Sequence, residues 1–354
     1  MTKSSTPAYS APATAMATEI AEQPQRLAQL LRQAEDGTFA RAAAAVDGQR
    51  RPFAVIAARG TSDHAAIYLK HLLEVKLGIV VALASPSVFT VYQRTLRVEG
   101  ALWIAISQSG GSPDLVEATR SARHAGAFTL AITNAADSDL AGAVHLALDI
   151  EAGPERAVPA TKSYTSELLA CWLLVEAMAG RDGEAAAALP ERAETVVTAP
   201  VPGDLVARLS DANRLLLVGR GYSFPTALEG ALKFVETAHL AAQGFSGADL
   251  LHGPIGAVNA GDPVLAIVPE GPAGTSLLPV LDKLRAADAH LTVVASGRPA
   301  GFDGPLVQAG EGLPEDLAAI TQIIPLQRLA CELALARGLN PDAPRGLNKI
   351  TKTR

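Results

Sequence analysis

The chain has 354 residues, 49% of them apolar and 19% charged, a balance that excludes wholesale disorder and suits two globular domains. Its apolar residues come in many short runs, none near the roughly 20 in succession that a membrane-spanning helix needs. Thirty Lys and Arg against 36 Asp and Glu leave a formal charge of -6, so there is no basic field to draw in nucleic acid; an anionic ligand has to be held by local contacts.

Residues 1–24 are Ser/Thr/Ala/Pro-rich, without an apolar core or a clear cleavage site. They read as a flexible tail rather than a signal peptide, with the cytoplasm as the compartment. A first lobe is expected over 25–185. The run AVIAARG (54–60) is continuously apolar and then polar, as a buried strand would be, and SDHAAIYLKHLLEVKLG follows as a helix with Ser62 or Asp63 as N-cap and Gly78 as its end. LWIAIS (102–107) is the next strand. The helix after it, PDLVEATRSARHAG, takes Ser112 as cap, Pro113 at its first position and Gly126 as terminator. FTLAIT (128–133) is a third strand, and SELLACWLLVEAMAG an apolar helix. Cys171 in that helix and Cys331 in LACELALARG read as buried free thiols.

Past a junction around APVPGDL (199–205) the pattern recurs over 200–345. Without a gap, Ala54–Gly60 falls on Leu215–Gly221, Leu102–Ser107 on Pro263–Val268, and Phe128–Thr133 on Ala289–Val294. Runs that are apolar throughout, rather than alternating, indicate strands buried on both faces of a parallel sheet. The expected fold is therefore α/β, two tandem doubly wound parallel-sheet lobes, with residues 346–354 as a short C-terminal tail.

In such a sheet, ligands bind beyond the carboxyl ends of the strands, where loops enter helix N-termini. Two first-lobe loops qualify: Arg59-Gly60-Thr61-Ser62, and Ser107-Gln108-Ser109-Gly110-Gly111-Ser112. Their hydroxyls and glycine N–H groups fit a phosphate cradle, and fit equally a capped turn. The second lobe has Val268, Pro269 and Glu270 where the first has Ser107, Gln108 and Ser109, and its carboxylate would repel phosphate, so one phosphate site per chain is expected. The segment Ala160-Thr161-Lys162-Ser163-Tyr164-Thr165 either caps the next helix or closes over a ligand. Glu229, Lys233 and Glu236 share one helix face by their spacing, as a solvated ion-pair stripe or as part of a site. His252, before Gly-Pro, is a loop histidine or a catalyst, and PRGLNKITKTR a basic tail or more.

Together, GTS (60–62), SQSG (107–110), ATKSYT (160–165), GRG (219–221), ALEGALKFVE (227–236), LLHGP (250–254) and PRGLNK (344–349) resemble the double-SIS sugar isomerase family, which includes the isomerase half of glutamine–fructose-6-phosphate aminotransferase. The resemblance runs over almost the whole chain after about residue 20, with the motifs in the same order. The synthase carries a glutaminase domain whose nucleophile is a cysteine after the initiator methionine. Here Thr2 follows Met1, so no glutaminase activity is expected of this chain. GTSDHA (60–65), SPSVFTVY (85–92), SQSGGSPD (107–114) and ATKSY (160–164) look most like the double-SIS glucosamine-6-phosphate deaminases.

The resemblance implies isomerising deamination of glucosamine 6-phosphate to fructose 6-phosphate and ammonia. It implies Ser107, Gln108, Ser109 and Ser112 as phosphate ligands, and Gly60, Thr61, Ser62, Ala160 and Thr161 as further substrate contacts. By the same resemblance Glu236 is the catalytic base, His252 assists ring opening from a neighbouring subunit, Lys349 contacts the open-chain sugar, and Lys233 supports the site's charge pattern. Glu229 is left as structural, and Val235 departs from the synthase motif, which has a lysine there. A homodimer is implied; no metal, organic cofactor, nucleic acid or membrane is expected as a partner. The alternatives are another phosphosugar aldose–ketose isomerase, a galactosamine-6-phosphate deaminase, a fructosamine-6-phosphate deglycase, or a non-catalytic sugar-phosphate sensor.

Overall fold

A computed structural model describes residues 14–46 and 51–349. Three helices lead in: α1 (Ala15–Ala21), α2 (Gln23–Glu35) and α3 (Thr38–Val46). Residues 15–21 and 23–24, expected in a tail, are thus helical, while residues 1–13 lie outside the described residues. Two caps account for this, one local, in which Thr14 Oγ1 accepts from the N–H of Ala17 at 3.0 Å, and one long-range. Asp342 accepts from the N–H groups of Ala15 and Met16 at 2.9 and 2.8 Å, placing a carboxylate on the helix N-terminus, and Met16 and Ile20 are buried.

The first lobe then runs β1 (Phe53–Ala57), α4 (Thr61–Leu77), β2 (Val80–Leu83), α5 (Ser87–Thr90), β3 (Leu102–Ser107), α6 (Pro113–His124), β4 (Phe128–Thr133), α7 (Asp139–Ala143), β5 (Leu146–Asp149) and α8 (Lys162–Met178). The second runs α9 (Leu189–Thr198), α10 (Gly203–Ser210), β6 (Arg214–Gly219), α11 (Phe224–Ala238), β7 (Ala241–Ser246), α12 (Gly247–Leu251), β8 (Pro263–Ile267), α13 (Pro272–Ala286), β9 (His290–Ala295), β10 (Leu306–Gln308) and α14 (Glu315–Ala336). Each lobe holds a five-stranded parallel sheet, in the orders β2-β1-β3-β4-β5 and β10-β9-β8-β6-β7. These are one topology used twice, and the strand runs fall where the internal repeat puts them.

Successive strand residues point to opposite faces, and the packing follows that parity. Ala54, Ile56, Leu102 and Ile104 enter one core, while Val55 and Trp103 enter another on the outer face of the sheet. In the second lobe Leu215 and Leu217 join the same core as Ala54 and Ile56, and Val218 faces outward. That shared core includes α8, α11 and α14, so the two sheets are joined by a continuous apolar interior. Both cysteines are free and buried within it. Among the described residues no helix is long and apolar enough to cross a membrane.

Two helix starts differ from expectation. The helix after β1 begins at Thr61 with Gly60 (φ 57°) as its N-cap, because Ser62 spends its hydroxyl on Glu167 rather than on a cap. The apolar helix α8 begins at Lys162 instead of Ser166, since Glu155 accepts from the N–H groups of Thr161 and Ser163 at 2.9 and 3.1 Å and caps the helix from outside the local sequence.

Candidate active site

A cavity of about 330 Å³ opens at the carboxyl ends of β1 and β3. These neighbouring strands send their connections to opposite sides, which is where a doubly wound sheet leaves a crevice. Arg59 to Ser62 form one wall; Ser107 to Ser109, with Ser112 and Leu115, form the second. Val158, Ala160, Ser163 and Glu167 come from the approach to α8 and its first turns. Glu236 enters from α11 of the other lobe, and Leu347, Asn348 and Lys349 close the ring.

The β3–α6 loop is built as a set of donors. Ser107 Oγ accepts from Gly110 N–H at 3.2 Å and Ser109 Oγ from Gly111 N–H at 3.3 Å, which leaves both hydroxyl protons to donate elsewhere. Ser112 is the N-cap of α6, as expected, but its hydroxyl makes no capping bond and it lines the cavity. Gly110 has φ 58°, and a Cβ there would lie 2.0 Å from Ser138 Oγ, so the tight loop admits no side chain at this point. Arg59, whose Nε donates to buried Asp114 at 2.9 Å, adds a cation beside the cradle. In the second lobe the equivalent loop presents Glu270, which accepts from Ser296 Oγ at 2.8 Å.

The charged face of α11 is not solvated. Glu229 and Lys233 have fully buried side chains, while that of Glu236 is 20% exposed. Lys233 Nζ lies 3.2 Å from Glu229 Oε1 and 2.5 Å from Glu236 Oε2, and donates to Thr61 Oγ1 at 3.3 Å. Thr61 donates in turn to Glu229 Oε1 at 3.0 Å, and His64 Nδ1 to Glu229 Oε2 at 2.7 Å. Burial alone would push the Glu229 carboxyl up, but the Lys233 charge and the His64 hydrogen bond outweigh it and hold the pKa below the ordinary value. For Lys233, burial pulls down, yet Glu229 and Glu236 leave the ammonium above its ordinary value. Glu229 is therefore the hub of a buried network joining α4 to α11 across the lobes, and it does not line the cavity.

A second buried carboxylate holds the C-terminal segment. Lys349 Nζ donates to Glu155 Oε2 at 2.8 Å and to Ala157 O at 2.7 Å, and Ser163 Oγ donates to the same Glu155 oxygen at 2.7 Å. Burial raises the Glu155 carboxyl; Lys349 and the surrounding donors reverse that and keep it below its usual range. Replacing Glu155 with Ala removes the charged hydrogen bond to Lys349, worth about 1.5–3 kcal/mol, together with the bonds that Glu155 accepts from Thr161 and Ser163 at the start of α8. Native-state trypsin cleavage at Arg345 and Lys349 is expected to quicken about tenfold or more, as the segment opens more often; an unchanged cleavage rate would refute the anchoring role.

Of the residues expected in the site, Gly60, Thr61, Ser62, Ser107, Gln108, Ser109, Ser112, Ala160, Glu236 and Lys349 share this cavity. Three do not line it. Thr161 is fully buried behind the wall, its carbonyl accepting from Gln327 at 3.2 Å. Lys233 sits behind Glu236 as its ion-pair partner. His252, at the end of α12, is exposed on the protein surface. Sequence reasoning missed Glu155, Glu167 and His64. None stands in a spacing pattern, and the one available signal was their position within or next to motifs already singled out.

The SIS domain model matches residues 51–177 and 208–337. Glutamine–fructose-6-phosphate aminotransferase (isomerizing) of Pyrococcus horikoshii is 33% identical over 309 residues, 83% of this chain and 51% of that protein; the chain spans about half the length of the curated relatives it matches. Among solved structures, a candidate phosphosugar isomerase from Silicibacter pomeroyi DSS-3 has a TM-score of 0.85 at 35% identity, over 93% of this chain and 100% of that one. The C-terminal domain of glucosamine-fructose-6-phosphate aminotransferase from Francisella tularensis has a TM-score of 0.81 at 25% identity, over 94% and 98%. With a first copy of the domain carrying the hydroxyl-lined loops and a second carrying Glu236, this chain belongs to the SIS domain family.

Proposed function

We propose that the protein is a phosphosugar isomerase-type enzyme whose reaction is the isomerising deamination of glucosamine 6-phosphate to fructose 6-phosphate and ammonia. The observation that carries the reading is the meeting of a hydroxyl-rich anion cradle, a partly exposed carboxylate on a buried ammonium, and a lysine around one cavity. Ser107, Gln108, Ser109 and Ser112 hold the phosphate, with Arg59 supplying charge. Binding energy from that remote group positions C1 and C2 of the open chain. Glu236 removes the C2 proton and returns it to C1 while O1 gains a proton and the amine nitrogen loses one, leaving a hydroxymethyl at C1 and an imine at C2. Water then hydrolyses the imine, placing oxygen on C2 and releasing ammonia. Lys349 contacts the open-chain sugar, and the motifs SQSGGSPD and ATKSY favour the amino sugar as substrate. Release of fructose 6-phosphate and ammonia in equal amounts from glucosamine 6-phosphate is the direct test. Turnover of galactosamine 6-phosphate or fructosamine 6-phosphate alone would change the substrate, and ligand binding without turnover of any of them would leave a sensor.

The exposed His252 serves this reaction from a second copy of the chain in a homodimer, opening the sugar ring in its partner's cavity. Inactive Glu236→Ala and His252→Ala variants, mixed and allowed to exchange subunits, are then expected to recover up to about a quarter of wild-type activity, because half the chains pair as hybrids and each hybrid holds one intact site. No recovery despite demonstrated exchange would rule the arrangement out.

A further inference from the structure

Glu167 stands in the second turn of α8 with 1% of its surface exposed, and it lines the cavity. Ser62 Oγ donates to its Oε1 at 2.8 Å, whereas Oε2 is buried with no hydrogen-bond partner. The neighbouring cations are committed elsewhere: Lys349 to Glu155, and Lys233 to Glu229 and Glu236. An ionised carboxylate in this place would be a buried charge without a counter-ion and would present only acceptors to an anionic ligand. Resting on the phosphosugar reading of the cavity, we propose that Glu167 serves the site as a neutral acid whose Oε2 hydroxyl donates a hydrogen bond to the bound phosphosugar. The hydroxyl of Ser62 occupies Oε1 as an acceptor and so directs the acid proton to Oε2, the oxygen left for the ligand.

Electrostatics agree with the geometry. Burial raises the Glu167 carboxyl to about 8; the Ser62 hydrogen bond opposes this, the charges of Glu155 and Glu229 add to it, and Lys349 pulls the other way. Those groups face it from α4, the segment before α8, α11 and the C-terminal segment, and Tyr164 and Cys171 lie near it on its own helix. Below pH 8 the acid is present; above it, ligand binding must first restore the proton, so affinity falls as pH rises.

Glucitol 6-phosphate, a phosphosugar without a carbonyl to react, is the probe. Calorimetric titration of the wild type is expected to give binding about tenfold weaker at pH 9 than at pH 7. Glu167→Gln, which keeps an uncharged donor at every pH, is expected to bind about as the wild type does at pH 7 and to hold that affinity to pH 9. An equal pH dependence in both proteins overturns the proposal while leaving the phosphosugar reading intact. Failure of the wild type to bind this or any phosphosugar at pH 7 overturns both. Without ligand, the infrared difference between wild type and Glu167→Gln is expected to contain a protonated carboxyl band at pH 7 that fades by pH 9. A carboxylate signal already present at pH 7 would also overturn the assignment.

Discussion

Glu236→Gln is expected to lower turnover of glucosamine 6-phosphate by about 10²–10⁴-fold, the usual worth of a positioned general base, with little change in affinity. The amide keeps the shape and polarity of the carboxyl but accepts no proton from C2. The neighbouring Ser107–Ser112 cradle is untouched, since Glu236 makes its contact with Lys233 at 2.5 Å and not with that loop. Loss should therefore appear in kcat, with KM nearly constant, as expected of an interaction that matters in the transition state. Deuterium at C2 offers a second reading: wild-type enzyme should exchange it with solvent or pass it to C1, and the variant should do neither. A variant retaining more than about a tenth of wild-type turnover would remove Glu236 from the role of base.

Lys233→Met is expected to destabilise the fold by about 3–5 kcal/mol, the typical effect of removing one partner from a buried ion pair. Methionine matches the length of the lost side chain but leaves the Glu229 carboxyl, fully buried, with His64 and Thr61 as its remaining partners. The pH dependence follows from the direction of the Glu229 shift. Its folded-state pKa lies below the ordinary value in the wild type, so the network contributes stability above that ordinary value and loses it as pH falls through the folded one. The deficit of the variant should accordingly be largest near neutrality and shrink below about pH 4.5. Adding Glu229→Gln to Lys233→Met should restore part of the loss, since both ends of the pair are then uncharged. Urea unfolding at pH 7 checks this; a deficit under about 1 kcal/mol would mean that the pair is not a buried electrostatic unit.

The strands were legible because both sheet faces are covered, so LWIAIS and FTLAIT are mostly apolar without alternation, are buried along almost their whole length, and end where the ladder ends. Helix starts were less so, and in each case a side chain is used at long range. Ser62 reads as a cap until Glu167, far along the chain, takes its hydroxyl. The helix at Ala15 has a local Thr14 cap, but the carboxylate that ties its N-terminus to the body of the chain is Asp342. In the site, the hydroxyl loops and Glu236 were visible as motifs. Glu155 and Glu167 were not, because a glutamate in a sequence looks the same whether it faces water or a lysine in the interior. The spacing of Glu229, Lys233 and Glu236 gave a common face, but whether that face met solvent depended on α4 from the other lobe. His252 remains apart from the cavity within a single chain.

The apolar interior shared by the two sheets has a thermodynamic meaning for the cavity. Neither lobe can shed its partner without exposing one side of its own sheet, so the chain should lose order as a single cooperative unit rather than as two independent halves. The Thr61 and His64 hydrogen bonds to Glu229 lie on that seam. Anion cradle and carboxylate therefore have no separate local equilibria by which one could drift from the other, and their alignment draws on the global free energy of folding.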